Sequence, residues 1–155
     1  MKERKCMKLL TRDKTLIIDA SDGREVFVNN QILSQNDGIL KDHVSDDPGI
    51  ICKEQIVDIY ELVEDATLKQ MINCLGVSFD KLCMANFFQI TKFCEKYPRW
   101  LKKEHCITLF FYKSDGKIKI ADVKPISNNF YTPLKMLENG GVWDAKFPLR
   151  IVIPR

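Results

Sequence analysis

The stretch Ile107-Thr-Leu-Phe-Phe-Tyr-Lys-Ser-Asp-Gly-Lys-Ile-Lys-Ile-Ala-Asp-Val123 decides the fold class. Its two halves are rich in β-branched and aromatic residues, which favour strands. The Asp-Gly between them is typical of a β-hairpin, because glycine accepts the positive φ that a tight turn requires. The stretch therefore predicts a hairpin over 107–123, with Ile118 and Ile120 facing the core and Lys117 and Lys119 facing outward.

More strands are expected at both ends of the chain. The run Pro148-Leu-Arg-Ile-Val-Ile-Pro154 alternates in character and predicts a strand that closes the sheet, giving a C-terminal antiparallel β-meander. Near the start, Thr15-Leu-Ile-Ile-Asp19 and Glu25-Val-Phe-Val28 flank another Asp-Gly and predict an N-terminal β-hairpin. Residues 131–137 are expected to form a short strand or a turn.

Between these β-rich ends, the spacing of apolar residues changes to three and four, which predicts two to three central helices. The first is expected from Lys53, with apolar positions at Ile56, Ile59, Tyr60 and Val63. The second is expected to end at Gly76, a natural stop for a helix. The third, the expected core helix, breaks at Pro98 and has its apolar seam at Cys83, Phe87, Ile90, Cys94, Tyr97 and Leu101.

The order of hairpin, helices and meander predicts an α+β fold, since a doubly wound fold requires strands that alternate with helices. The 155 residues, 45% of them hydrophobic, suit a single domain over 1–155, with a long polar loop at 29–51. No apolar run approaches the length of a membrane span, and the start does not resemble a signal peptide. We therefore expect a soluble, cytoplasmic protein that does not bind membranes.

The chemical motifs of common enzymes are absent from the sequence. It has no phosphate-binding glycine loop and no nucleophile elbow. Its six cysteines lack the C-x-x-C spacing of zinc and redox sites, and we expect them to be free thiols that act as small apolar residues. A nucleophilic pair of His105 with Cys83 or Cys94 is the one thiol arrangement to consider. We expect no catalytic residues, no metal and no cofactor.

Charge is divided unevenly along the chain. Residues 42–65 carry −7 and the rest carry +10, which together give the net charge of +3. The acidic segment is a candidate binding surface, although a solvated acidic loop and helix face is the simpler interpretation. Its candidate residues are Asp42, Asp46, Asp47, Glu54, Asp58, Glu61 and Glu64.

Basic residues form a second candidate surface, of the kind that binds phosphates. Its residues are Lys81, Arg99, Trp100, Lys102, Lys103, Lys113, Lys117 and Lys119. In addition, the segment 67–85 resembles a helix-turn-helix, with Gly76-Val-Ser78 as its turn. That resemblance implies binding to DNA or RNA, with the hairpin at 107–123 as a lysine-bearing wing. Ile72 stands where that family usually has alanine, and a helical hairpin inside the core is the simpler interpretation.

The second half of the chain resembles a family of small bacterial proteins of unknown function. The matching segments are Phe93-Cys-Glu-Lys-Tyr-Pro-Arg-Trp-Leu101, Thr108-Leu-Phe-Phe-Tyr112, Ile120-Ala-Asp-Val123, Val142-Trp-Asp-Ala145 and Arg150-Ile-Val-Ile-Pro-Arg155. The resemblance covers residues 87–155 and implies one α+β unit, with Trp100 and Trp143 in or beside the core. Leu149 stands where that family often has histidine.

Three functions follow as expectations. The first is a small, non-enzymatic interaction or regulatory protein of bacterial or phage origin, whose partner is another protein. The alternative is a DNA- or RNA-binding regulator that uses the segment 67–85 and the hairpin. The third is an enzyme whose site is assembled from scattered residues such as His105, Asp122 and the acids of the loop.

Overall fold

The computed structural model describes residues 5–22, 51–101, 106–114, 116–123 and 134–155. The strands of these ranges are β1 (Met7–Leu9), β2 (Leu16–Ile18), β3 (Ser21–Asp22), β4 (Ile51–Cys52), β5 (Gln55–Leu62), β6 (Ala66–Thr67), β7 (Cys83–Met84), β8 (Ile107–Ser114), β9 (Lys117–Val123), β10 (Val142–Trp143) and β11 (Leu149–Pro154). The α-helices are α1 (Leu68–Leu75), α2 (Phe79–Leu82), α3 (Phe87–Lys96) and α4 (Leu134–Glu138), and Pro98–Trp100 forms a 3₁₀ turn. The fold is therefore α+β and rich in strands.

Seven strands form one mixed sheet with β5 and β11 at its centre. One edge of β5 pairs with both β1 and β2, and its other edge pairs with β11, all antiparallel. β11 then pairs in parallel with β8. Because β9 pairs along almost all of β8, β7 shares the edge of β8 that β11 occupies. Two small pairs, β3 with β4 and β6 with β10, lie apart from this sheet.

The sheet has apolar side chains on both faces, and helices cover each of them. The first face packs against α3 and includes Val57, Ile59, Phe110 and Val152. The second face packs against residues of α1, α2 and α4 and includes Leu109, Phe111, Ile151 and Ile153. Successive side chains of a strand point to opposite faces, so one strand supplies both cores. We call these the α3 face and the α1 face.

The prediction of a helix from Lys53 is wrong, because residues 55–62 form the central strand β5. A strand covered on both faces carries apolar residues on both, which hides the alternation of an ordinary strand. The β-branched residues Ile56, Val57 and Ile59 were the available signal for a strand. The apolar spacing of three and four residues was therefore misleading in this segment.

The predicted C-terminal antiparallel meander is right for its hairpin but wrong for its last strand. The hairpin is confirmed, since β8 and β9 pair from Thr108 with Val123 to Ser114 with Lys117. The C-terminal strand is also confirmed, but it lies in the middle of the sheet and runs parallel to β8. Parallel neighbours need a crossover, and the chain between β8 and β11 includes β9, α4 and β10.

Local signals placed the ends of the second and third helices, but the expected third helix is broken near its start by β7. α1 ends at Leu75, and Gly76 adopts the left-handed conformation with φ 68°. α3 ends before Pro98, as expected, and holds Phe87, Ile90 and Cys94 in the core. Cys83, the first residue of the expected seam, lies instead in β7.

The remaining expectations have mixed outcomes. Leu16–Ile18 is a strand as expected, but it pairs with β5. Its expected hairpin partner, 25–28, lies outside the described residues, as does the polar loop 29–51 apart from Ile51 in β4. Helix α4 forms where a strand or turn was expected. No helix in the described ranges is both long and apolar enough to cross a membrane.

Candidate functional site

The β8–β9 hairpin carries three of the basic candidates, Lys113, Lys117 and Lys119. Lys119 lies opposite Tyr112, whose ring packs against α3, so Lys119 belongs to the α3 face. Lys117 is two residues away in the same strand and therefore lies on the same face. Ile118 and Ile120 belong to the α1 face. Ile120 is half-buried against the core as expected, whereas Ile118 remains 37% exposed.

The outer edge of β9 is available along the sheet. β8 occupies one edge of β9, and no other strand in the described part of the chain pairs with it. A strand has main-chain donors and acceptors on both edges, so an edge strand offers a template for another strand. The turn end of β9 is the most exposed part, since Gly116, Lys117 and Ile118 all lie in solvent.

The basic candidates on the hairpin and α2 lie on two faces of the sheet. Lys113 belongs to the α1 face, where its Nζ lies 3.2 Å from Asp80 Oδ1 of α2. Lys81 is exposed on the same helix. These two residues are therefore separated by the sheet from Lys117 and Lys119. Lys102 and Lys103 lie outside the described residues.

Two cationic side chains lie over the ring of Trp100, so this ring is not an open surface for stacking a base. Its half-buried ring has Lys14 Nζ at 5.4 Å and Arg150 Cζ at 5.7 Å from its centroid. Its carbonyl oxygen accepts a hydrogen bond of 2.8 Å from Arg150 Nη1. Arg99, its neighbour in the 3₁₀ turn, is exposed.

Two of the acidic candidates are paired with arginines near the C-terminus, Arg150 of β11 and Arg155, which follows β11. Asp58 Oδ1 lies 2.7 Å from Arg155 Nη2 and accepts a hydrogen bond of 2.9 Å from Thr11 Oγ1. The hydrogen bond to Asp58 raises the pKa of Arg155. Glu61 Oε1 lies 3.3 Å from Arg150 Nε. Asp58 and Glu61 are three apart in a strand and so lie on opposite faces of the sheet.

The other acidic candidates do not extend this arrangement. Glu54 and Glu64 are exposed near the two ends of β5. Asp65, beside Glu64, accepts a hydrogen bond from the main-chain nitrogen of Ala145. The remaining three candidates, Asp42, Asp46 and Asp47, lie outside the described residues.

The segment that resembles a helix-turn-helix has a short second helix. α1 spans eight residues, but α2 spans only four and leads directly into β7 of the sheet. Phe79 of α2 packs edge-to-face on Phe111, with ring centroids 6.4 Å apart. The segment 67–85 therefore serves the core and the sheet in this fold, and its two lysines, Lys69 and Lys81, are exposed.

The two thiols considered as nucleophiles, Cys83 and Cys94, are shielded from solvent to different degrees. Cys94 is fully buried and burial raises the pKa of its thiol, while desolvation also raises the pKa of half-buried Cys83. His105 lies outside the described residues, and Asp122 lies in β9 opposite Leu109. Among the described residues, no three His, Cys, Asp or Glu side chains are grouped to hold a metal.

A cavity of about 440 Å³ lies between the start of β1 and α1. Cys6 and Cys74 line it, together with Lys5, Glu64 and Gln70. The two cysteine Sγ atoms are 2.6 Å apart. This pair gives no signal in the sequence, because its members are 68 positions apart and no local spacing indicates the contact.

No protein-family model matches the chain, and no curated protein or solved structure is similar to it. The resemblance of residues 87–155 to a bacterial family stays a prediction.

Proposed function

We propose that the protein is a non-enzymatic interaction protein that binds an extended segment of another protein along the outer edge of β9. The observation that supports this is the edge itself, seven residues long and paired with β8 on its other side only, within the described chain. A peptide adds to such an edge through main-chain hydrogen bonds, and its alternating side chains give specificity.

The side chains of β9 define the chemistry of the bound segment. On the α3 face, a neighbouring strand places its side chains beside Lys117 and Lys119. On the α1 face, its side chains lie beside Ile118 and Ile120. Opposite charges and apolar pairs across neighbouring strands are each stabilising, so the bound segment alternates acidic and apolar residues.

Charge also argues against a second copy of this chain as the occupant. If β9 paired antiparallel with β9 of another molecule, Lys117 and Lys119 of both copies would lie on the same face of the joined sheet. Like charges on neighbouring strands are destabilising. Lysines on edge strands are a common protection against such pairing. An acidic partner relieves this repulsion, whereas a second copy adds to it.

The test uses a fluorescent peptide of about eight residues that alternates glutamate and valine, with binding followed by fluorescence anisotropy. The double variant K117E/K119E is expected to weaken binding by about tenfold or more, because two attractive pairs become repulsive. The matched control K81E/K113E changes the net charge equally on the other face and is expected to keep binding within about twofold. Equal weakening by both variants contradicts the proposal, as does a peptide that does not bind.

Main-chain pairing is tested with two N-methylated peptides, each blocking one alternate set of amides. Only one set faces β9 in a paired strand, so one peptide is expected to lose binding and the other to keep it. Two methylated peptides that bind like the parent overturn the proposal.

A DNA duplex provides the test of the alternative function. Phosphate binding is expected to weaken by orders of magnitude between about 50 mM and about 200 mM salt. Such binding, in the absence of peptide binding, overturns the proposal in favour of a nucleic-acid regulator.

A further inference from the structure

The cavity beside α1 brings two thiols into contact from distant parts of the chain. Cys6 immediately precedes β1, and Cys74 lies in the last turn of α1. Their Sγ atoms are 2.6 Å apart, and the Cys6 N–H donates to Cys74 Sγ over 3.4 Å. Two further interactions fix the positions of these cysteines. The Val63 N–H donates to the carbonyl of Cys6, and α1, which carries Cys74, packs against β1.

We propose that Cys6 and Cys74 form a site of reversible oxidation, at which a hydroperoxide converts the two thiols into a disulfide. A disulfide places its sulfurs about 2.05 Å apart, so a small movement of these side chains completes the bond. Other described cysteines have different surroundings. Cys52 Sγ accepts from Asn86 Nδ2, and Cys83 Sγ donates to the carbonyl of Phe79.

The two thiols have different roles in this reaction. Cys74 is half-buried and faces the cavity, so it is the sulfur that a small oxidant reaches. The Cys6 N–H donates to the sulfur of Cys74, so the main chain holds this sulfur beside Cys6. Cys6 is 5% exposed, and burial, followed by the hydrogen bond with Cys74, raises its pKa to about 12. Cys6 therefore keeps its proton at neutral pH until the second step.

The reaction balances with hydrogen peroxide as the oxidant. The Cys74 thiolate attacks one peroxide oxygen, the O–O bond breaks, and a sulfenic acid forms while the departing hydroxide takes a proton to become water. The Cys6 sulfur then attacks the Cys74 sulfur and loses its proton. Hydroxide leaves Cys74 and becomes the second water. Two thiols lose two electrons, and one peroxide gains them.

The charged side chains around the cavity are mixed. Lys5 lies on one side of Cys6, and Glu64 and Asp65 line the same cavity. A small neutral oxidant such as hydrogen peroxide is not excluded by either sign of charge. The new bond would tie the segment before β1 to α1 and restrict the unfolded chain.

The direct test is a peptide map of the full chain after treatment with hydrogen peroxide and blocking of the remaining thiols. Trypsin cleaves after Lys5, Lys8, Lys69 and Lys81, so each cysteine lies in its own peptide. We expect peptides 6–8 and 70–81 to be recovered as one linked species that dithiothreitol separates. A Cys74 that is oxidised without linkage to Cys6 overturns the proposal, and so does linkage of Cys6 to other cysteines.

A second measurement tests the consequence of the bond. Oxidation of the wild type is expected to raise the melting temperature by about 5–10 °C, because the disulfide closes a long loop. The variant C74S is expected to lose this rise, and the matched control C83S to keep it. A rise of equal size in C74S contradicts the proposal. The map of the wild type stands independently if C74S does not fold, and neither test depends on peptide binding at β9.

Discussion

β5 and β9 are strands of one sheet that both carry charged side chains, and they use those charges differently. On β5, Asp58 pairs with Arg155, which follows β11, and Glu61 pairs with Arg150 of β11. The pair of Glu61 with Arg150 is largely shielded from solvent. On β9, Lys117 is exposed and takes part in no ion pair among the described residues. The charges of β5 therefore hold neighbouring parts of the fold, whereas Lys117 of β9 lies in solvent at the edge that we propose binds a partner.

The largest predicted effect lies at the centre of the sheet. Replacing Arg150 with methionine is expected to lower the free energy of unfolding by about 3 kcal/mol, because Glu61 loses its arginine in a mostly buried site. The Arg150 side chain is 10% exposed and also donates to the Trp100 carbonyl. Urea unfolding measures the change.

A second substitution separates the lost ion pair from lost packing. R150M combined with E61L is expected to recover at least half of the stability, since it removes the charge left behind. If the double variant is as unstable as R150M, the ion pair does not explain the loss.

The ion pair of Asp58 with Arg155, at the end of the sheet, is expected to contribute less to stability. Arg155 is 44% exposed at its side chain, so R155M is expected to lower the melting temperature by no more than about 2 °C. Calorimetry at low and high salt measures this difference, which is expected to shrink as salt screens the pair. A loss as large as that of R150M would contradict the contrast between buried and exposed pairs.

The smallest predicted effect on stability lies on β9. K117E/K119E is expected to change the free energy of unfolding by less than about 0.5 kcal/mol, because Lys117 is exposed, Lys119 is half-buried, and neither takes part in an ion pair among the described residues. The same urea titration measures it. A decrease of several times that value would show that these lysines stabilise the fold. Weaker peptide binding by K117E/K119E could then result from unfolding and would not identify the binding edge.

Local signals explain what the sequence predicted correctly. The Asp-Gly at 115–116 marked the β8–β9 hairpin, Gly76 marked the end of α1, and Pro98 marked the end of α3. Each of these signals acts within a few residues, through φ or a missing N–H. They required no knowledge of the rest of the chain.

Long-range packing explains what the sequence missed. In a helix, Asp58 and Glu61 would share one face, but in a strand they are directed to opposite faces. Only the layers on both sides of β5 decide between these outcomes. The parallel pairing of β11 with β8 and the contact of Cys6 with Cys74 depend in the same way on the assembled sheet.

Hydrogen exchange at the amides of β9 tests the central claim most directly. In the free chain, alternate amides of β9 that do not bond to β8 are expected to exchange fast, because they face the open edge. With the glutamate–valine peptide bound, those same amides are expected to become protected, while amides of the α1 face helices stay unchanged. Peptide binding that leaves exchange along β9 unchanged would contradict the account.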